Sequence, residues 1–226
     1  VAAAGDVTGR RVLQLACSCG DEALSWAQLS ASVTGVDLSE VAIELACTKS
    51  VEAGIPVDFR RADMFDLPAD LVDLDLIYLS WGAICWVRDL SVWATMVADR
   101  LRPGGSILIA DHHPIWEVLT VTGPNGLTVS TDYFGRNTPR STIDNVKLPT
   151  GARDTPEPPA FTVFVWPPSD IITALLAAGL RLTHFTEFPI ADMYGGLSVA
   201  ASHLPATYLI RAPRDVSRGT EPRVGK

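Results

Sequence analysis

Residues 12–40, VLQLACSCGDEALSWAQLSASVTGVDLSE, constrain the fold of this chain more than any other stretch. An apolar run, VLQLA, stops at four small residues, Cys17-Ser18-Cys19-Gly20. A segment with helical spacing follows, then a second apolar run that ends on one carboxylate, Asp37. Strand, tight turn, helix, strand, acid is the order in which a doubly wound α/β domain presents a loop and an acid to a nucleoside.

The alternation continues along the chain. Residues 12–16, 32–37, 57–60, 74–80 and 106–110 read as strands. The fourth is nearly all apolar, which places it centrally in a sheet. Helical spacing covers 21–29, 41–53 and 90–101. Asp21 and Glu22 stand in the first turn of the first helix, where the dipole favours acids. Ser39 caps the second helix and Gly54 ends it. Pro103-Gly104-Gly105 stops the third.

Residues 114–168 then break the pattern with Pro, Gly, Thr and Asn, apart from short β-like pieces at 127–131 and 161–166. Loops of that length inside a domain are usually functional or disordered. After them Ser169 caps a helix over 170–178, closed by Gly179. Two last strands, 180–188 and 207–212, form an antiparallel pair at the sheet edge. The expected architecture is a Rossmann-like, doubly wound α/β domain over residues 1–213. Its seven-stranded sheet is mostly parallel, with the last strand antiparallel, helices on both faces and a cap inserted at about 114–168. Residues 214–226 read as a disordered tail. The ligand crevice of such a sheet lies at the strand carboxyl ends.

Charge and cysteine content narrow the partners. A net charge of −8 and a pI near 4.9 disfavour a nucleic-acid substrate. Cys17, Cys19, Cys47 and Cys85 lack zinc-ligand spacing, and no other metal motif is present. With no signal peptide and no membrane-length apolar run, a reduced, cytoplasmic protein is expected. The chain enters its first strand within about a dozen residues and lacks an initiator Met, which leaves room for an N-terminal segment ahead of Val1.

Four motifs in order make the chain resemble the class I S-adenosylmethionine (SAM)-dependent methyltransferases over roughly residues 7–212. They are VLQLACSCG, VTGVDLSEVAIELA, RRADMFDLP and LRPGGSILIADHHP. The first departs from the family's usual form: Ala16 and Ser18 stand where glycines are commonest, and Gln14 where an acid is usual. Its form C-x-x-G-[DQ]-[DE]-x-L-S-W-A is similar to a subgroup of small-molecule methyltransferases. The resemblance implies SAM as cofactor, S-adenosylhomocysteine as product, and no metal. It implies cofactor contacts from Ala16, Cys17, Ser18, Gly20, Asp37, Leu38, Asp63, Met64, Ser80 and Trp81. Asp37 would accept the ribose hydroxyls, Asp63 the adenine amino group, and the Met64 N–H would reach a ring nitrogen.

Catalysis points to Asp111-His112-His113, at the end of the fifth strand. An imidazole suits removal of a proton from an O–H or N–H nucleophile. Alternation sends the two rings opposite ways, so one of them at most is the base. His113 is the first choice and His112 the second, with Asp111 orienting a ring. Trp81, His113, Trp116, Tyr133 and Trp166 are candidate walls of an acceptor pocket, with Phe134 beside them. His184 and His203 read as surface or packing residues. The expected reaction is methyl transfer to an oxygen or nitrogen of a small molecule. Arginine outnumbers lysine fifteen to three, which points to a GC-rich bacterial genome and to specialised (natural-product) metabolism. Two rivals stand beside this reading. One is a SAM-binding protein whose cofactor is structural or serves a non-methylating reaction. The other is a nucleotide-linked oxidoreductase, which would need a G-x-G-x-x-G that Cys17–Leu24 lacks. A homodimer is left open.

Overall fold

The computed structural model describes residues 2–123, 126–141, 161–195 and 202–216. Strands and helices alternate through β1 (Arg11–Leu15), α1 (Asp21–Gln28), β2 (Ser32–Asp37), α2 (Glu40–Ala53), β3 (Asp58–Arg61), β4 (Leu74–Ser80), α3 (Leu90–Arg100) and β5 (Leu101–His112). A short helix follows, α4 (Pro114–Val118), then β6 (Leu119–Gly123), β7 (Gly126–Val129), β8 (Arg136–Ser141) and β9 (Thr162–Val165). The chain closes with α5 (Pro168–Ala177), β10 (His184–Phe188) and β11 (Thr207–Pro213).

Seven strands form one sheet in the order β10-β11-β5-β4-β1-β2-β3. Pairs β1–β2, β1–β4, β2–β3 and β4–β5 are parallel, and β11 runs antiparallel to β5 and β10. This is the expected doubly wound sheet with its last strand antiparallel. Strand order reverses between β1 and β4, so the loops leaving these two strands diverge and open a crevice. Both faces are covered, as the apolar runs require. One core gathers Leu13, Leu15, Ile77, Leu79, Trp93, Ile107 and Ile171, and the other Val12, Ala23, Trp26, Leu76, Tyr78 and Leu108. In β4 every residue but Asp75 is buried, in keeping with its central place.

Several boundaries differ from the sequence reading; β10, for one, begins at His184 and not at 180. Strand β5 begins at Leu101, so Pro103-Gly104-Gly105 is a bulge inside the strand and not a turn before it. A Cβ on Gly105 would lie 2.4 Å from the Leu74 carbonyl oxygen, and only glycine allows that approach. Helix α5 begins at Pro168, with Pro167 at its N-cap, and Ser169 is not the cap. Its hydroxyl is directed at the Asp170 carboxylate, 3.4 Å away. A proline at the first helical position loses no N–H the helix needs, which favours the earlier start. Finally, Arg214 belongs to the fold and not to a tail: its N–H donates to Gly105 O at 2.7 Å, and it bridges Leu180.

Between β5 and α5, β6 pairs with β7 and β8 with β9, in two small antiparallel sheets outside the main one. Much of the expected cap, 142–160, lies outside the described residues, as do 217–226 of the expected tail. Among the described residues no helix is long and apolar enough to cross a membrane.

Candidate active site

The turn after β1 sets the floor of the crevice. Ala16, Ser18 and Gly20 all have left-handed backbone, with φ of 50°, 49° and 80°. Two side chains therefore occupy a conformation that glycine adopts freely and L-residues adopt at about 1–2 kcal/mol each. Cross-links hold the turn there. Cys17 N–H donates to Val36 O at 2.9 Å, and Gly20 N–H to Cys17 O at 2.9 Å. Asp37, at the end of β2, accepts from Ser18 N–H at 2.8 Å with one oxygen and from Ser39 N–H at 2.9 Å with the other. Each oxygen keeps a further lone pair for a ligand hydroxyl.

Gly20 answers to packing. A Cβ there would lie 2.5 Å from the Phe59 ring and 2.8 Å from the Ala46 Cβ, so its smallness seats α1 against β3 and α2. The Cys17 thiol is buried, and burial, helped by the nearby Asp37 charge, pushes its pKa up to about 12. It is a protonated packing group and no nucleophile. Leu38 is 66% exposed beside the crevice. Asp63 turns one oxygen onto Phe65 N–H at 2.9 Å, and Met64 packs on the larger core.

The crevice holds a cluster that the sequence reading missed. Glu22, in the first turn of α1, accepts hydrogen bonds from Gln14 Nε2 at 3.1 Å, from Tyr78 Oη at 2.8 Å, and from the Ser80 hydroxyl. Its neighbour Asp21 pairs with Lys49 Nζ at 2.7 Å, whereas Glu22 has no ion pair among the described residues. Gln14 is 2% exposed, and its Oε1 is buried without a partner.

At the other side of the crevice, β4 leads into Trp81 and Gly82, both left-handed at φ 46° and 87°. Trp81 N–H donates to Ala110 O at 3.1 Å, and its indole stays 56% exposed. Asp111, 1% exposed, fixes this turn by accepting from the N–H groups of Gly82, Ile84 at 2.9 Å and His112 at 2.7 Å. Burial raises its pKa, and these N–H bonds work against that rise. Its carboxylate accepts hydrogen bonds from the backbone and not from a ring, so Asp111 positions the turn instead of orienting an imidazole.

The two histidines separate as alternation requires. His113 is 5% exposed, and both ring nitrogens are taken. Nδ1 accepts from Ile115 N–H at 3.1 Å, capping α4, and Nε2 lies 2.9 Å from Glu187 Oε1. That pattern fixes the neutral Nε2–H tautomer, and burial, opposed by Glu187, lowers the pKa. His113 is therefore a cap, not a free base. His112 faces the crevice between Trp81 and Trp116, with ring centroids 5.5 and 4.9 Å away. Its Nδ1 is 3.8 Å from Glu117 Oε1, and among the described residues the ring makes no hydrogen bond.

The remaining wall candidates divide in the same way. Trp116 stays with His112, its indole N–H donating to Met193 O at 2.6 Å. Trp166 is buried, donates to Val87 O at 2.7 Å, and backs a small cleft that also touches Gly82, Cys85, His112 and Glu117. Tyr133 packs edge-on against Phe134; burial raises its pKa, and the charge of Glu187 adds to the rise. Sequence carried a usable signal for Glu22, an acid two residues after Gly20 combined with an amide where an acid is usual. None marked Glu117.

Comparison with known proteins agrees with this geometry. Residues 12–105 match the model of a methyltransferase domain. A curated relative named ubiquinone biosynthesis O-methyltransferase, from Chelativorans sp. (strain BNC1), is 30% identical over 146 residues, 65% of this chain and 55% of that protein. The chain thus spans about half the length of the curated relatives it matches. A Listeria monocytogenes structure assigned to the SAM-dependent methyltransferases superposes with a TM-score of 0.71 at 20% identity, over 93% of each chain. A SAM-dependent methyltransferase from Mesorhizobium loti does so with a TM-score of 0.65 at 22% identity, over 92% of this chain and 93% of that one.

Proposed function

We propose that the chain is a class I SAM-dependent methyltransferase, a reading its fold and the methyltransferase-domain match of residues 12–105 support, and that it methylates an oxygen or nitrogen of a small molecule with His112 as the base. The observation that carries this reading is the His112 ring, held between Trp81 and Trp116 at the strand end with no hydrogen-bond partner among the described residues.

The residues fit the cofactor. Asp37 has lone pairs for a ribose diol, Asp63 offers an acceptor to an adenine amino group, and Glu22 is a carboxylate without a cation. When bound, SAM supplies an electrophilic methyl group on a sulfonium and leaves as S-adenosylhomocysteine. The chain's own work is placement and proton removal. The exposed Trp81 indole offers an apolar surface to a ring-bearing acceptor beside His112. His112 takes the acceptor proton on a ring nitrogen, with the Glu117 carboxylate 3.8 Å from its Nδ1. Placement of this kind is worth about 7–11 kcal/mol of barrier.

The relatives' name favours an oxygen acceptor, and a phenol, whose ring the exposed Trp81 indole would cover, is the simplest one. It lends no support to the specialised-metabolism reading. Tritium transfer from methyl-labelled SAM into a panel of phenols and amines tests the proposal. Transfer to at least one phenol is expected, and SAM binding without transfer to any acceptor would contradict it. His112→Ala is expected to lower turnover by about 10²–10⁴-fold with SAM affinity little changed, and unchanged turnover would remove the base assignment.

A further inference from the structure

The geometry points to Glu22 as the residue by which this chain selects adenosyl sulfur compounds that carry an amino-acid ammonium group over those that lack one. The inference rests on reading the crevice as a SAM site, and it concerns which part of that molecule the chain reads.

Three observations carry it. First, the Glu22 carboxylate is half-buried at the mouth of the switch-point crevice, where the loops after β1 and β4 part. Second, its fixed partners are neutral: the Gln14 amide at 3.1 Å, the Tyr78 phenol at 2.8 Å and the Ser80 hydroxyl. Burial, and then the Glu22 charge itself, hold the phenol above its ordinary pKa, so it remains a proton donor. Three donors orient the carboxylate, but none cancels its charge, and a partly desolvated charge without a counter-ion is costly. One lone pair on Oε1 remains for a cationic donor. Third, Gln14 fills the β1 position with an amide that can only donate toward Glu22, since a carboxylate there would set two negative charges face to face. Its Oε1 is buried and unpartnered. The pair is therefore matched: the acid stands on the helix, and the strand supplies an amide that tolerates it. A ligand ammonium would meet a carboxylate that no cation among the described residues compensates. A nucleoside thioether without an amino-acid chain would leave it unmet.

Isothermal titration of the whole chain with S-adenosylhomocysteine and with 5′-methylthioadenosine, which lacks the amino-acid chain, tests the inference without any turnover. Glu22→Gln keeps the shape and removes the charge. It is expected to weaken S-adenosylhomocysteine binding about ten- to a hundredfold, the range for a charged hydrogen bond, and to leave methylthioadenosine binding within twofold. The double variant Gln14→Glu/Glu22→Gln returns the acid to the strand and is expected to recover most of the lost affinity. Equal losses for both ligands would make Glu22 a mere brace of the turn and overturn the inference, as would no loss for either. Failure of the double variant to regain affinity would overturn the matched-pair account. If the wild-type chain bound neither ligand, the underlying reading of the crevice would fail first, and the titration would show that separately.

Discussion

Ala16 and Ser18 carry glycine-like backbone with side chains attached, at φ 50° and 49°. The motif's departure from glycine therefore leaves the shape of the turn intact and shows up as strain, held by the bonds from Ser18 to Asp37 and from Cys17 to Val36. Replacing either residue with glycine relieves a left-handed L-residue but frees the unfolded chain, and the two effects oppose each other. Since the first is about 1–2 kcal/mol and the second about 0.5–1, Ala16→Gly/Ser18→Gly is expected to be more stable by about 1 kcal/mol in urea unfolding. A less stable double variant would mean that the two side chains contribute packing that outweighs the strain. Residue scale is also where sequence reading ran out. The acid after the turn was visible, but its role depends on Tyr78 and Ser80, which lie 56 and 58 residues further along the chain.

In the proposed reading, helix α4 is the element on which acceptor binding depends. It spans five residues, too few to be stable alone, and it carries both Trp116 and Glu117 to the side of His112. Its N-terminus is held by His113 Nδ1, which must be unprotonated to accept from Ile115 N–H. The groups facing that ring are Glu187 on β10 and the Tyr208 ring on β11. Burial depresses the folded pKa below the ordinary value near 6.5, against the opposing pull of Glu187. The sign follows: the unfolded chain binds the proton more readily, so the stabilisation is present above about pH 6.5 and lost as pH falls through the folded value. Unfolding measured from pH 8 to pH 5 should therefore show the wild-type chain losing on the order of 1 kcal/mol more than His113→Asn, which does not titrate. Parallel curves would contradict the cap. Alternation along β5 foretold that the two rings diverge. Which one faces the crevice depends on α4 and β10, which fold back around His113 and lie beyond any local pattern.

At the scale of the whole molecule, much was legible because the sheet is built from apolar runs punctuated by small residues. The order strand-turn-helix-strand-acid in residues 12–40 became β1, α1 and β2, with Asp37 at the predicted strand end. The apolar run of β4 became the buried central strand. Less legible were features set by contacts between elements, such as the Gly105 bulge against Leu74 and the return of Arg214 onto Gly105. The fold and the candidate site meet at one carboxylate: Asp37 braces the β1 turn through Ser18, and in this account it also receives the ribose of the cofactor. Titration calorimetry with S-adenosylhomocysteine, comparing the wild-type chain with Asp37→Asn, tests that meeting point directly. One site per chain is predicted, weakened about tenfold or more in the variant, since an amide keeps the shape but replaces an acceptor with a donor. Absence of saturable binding to the wild-type chain, or equal affinity in the variant, would contradict the account.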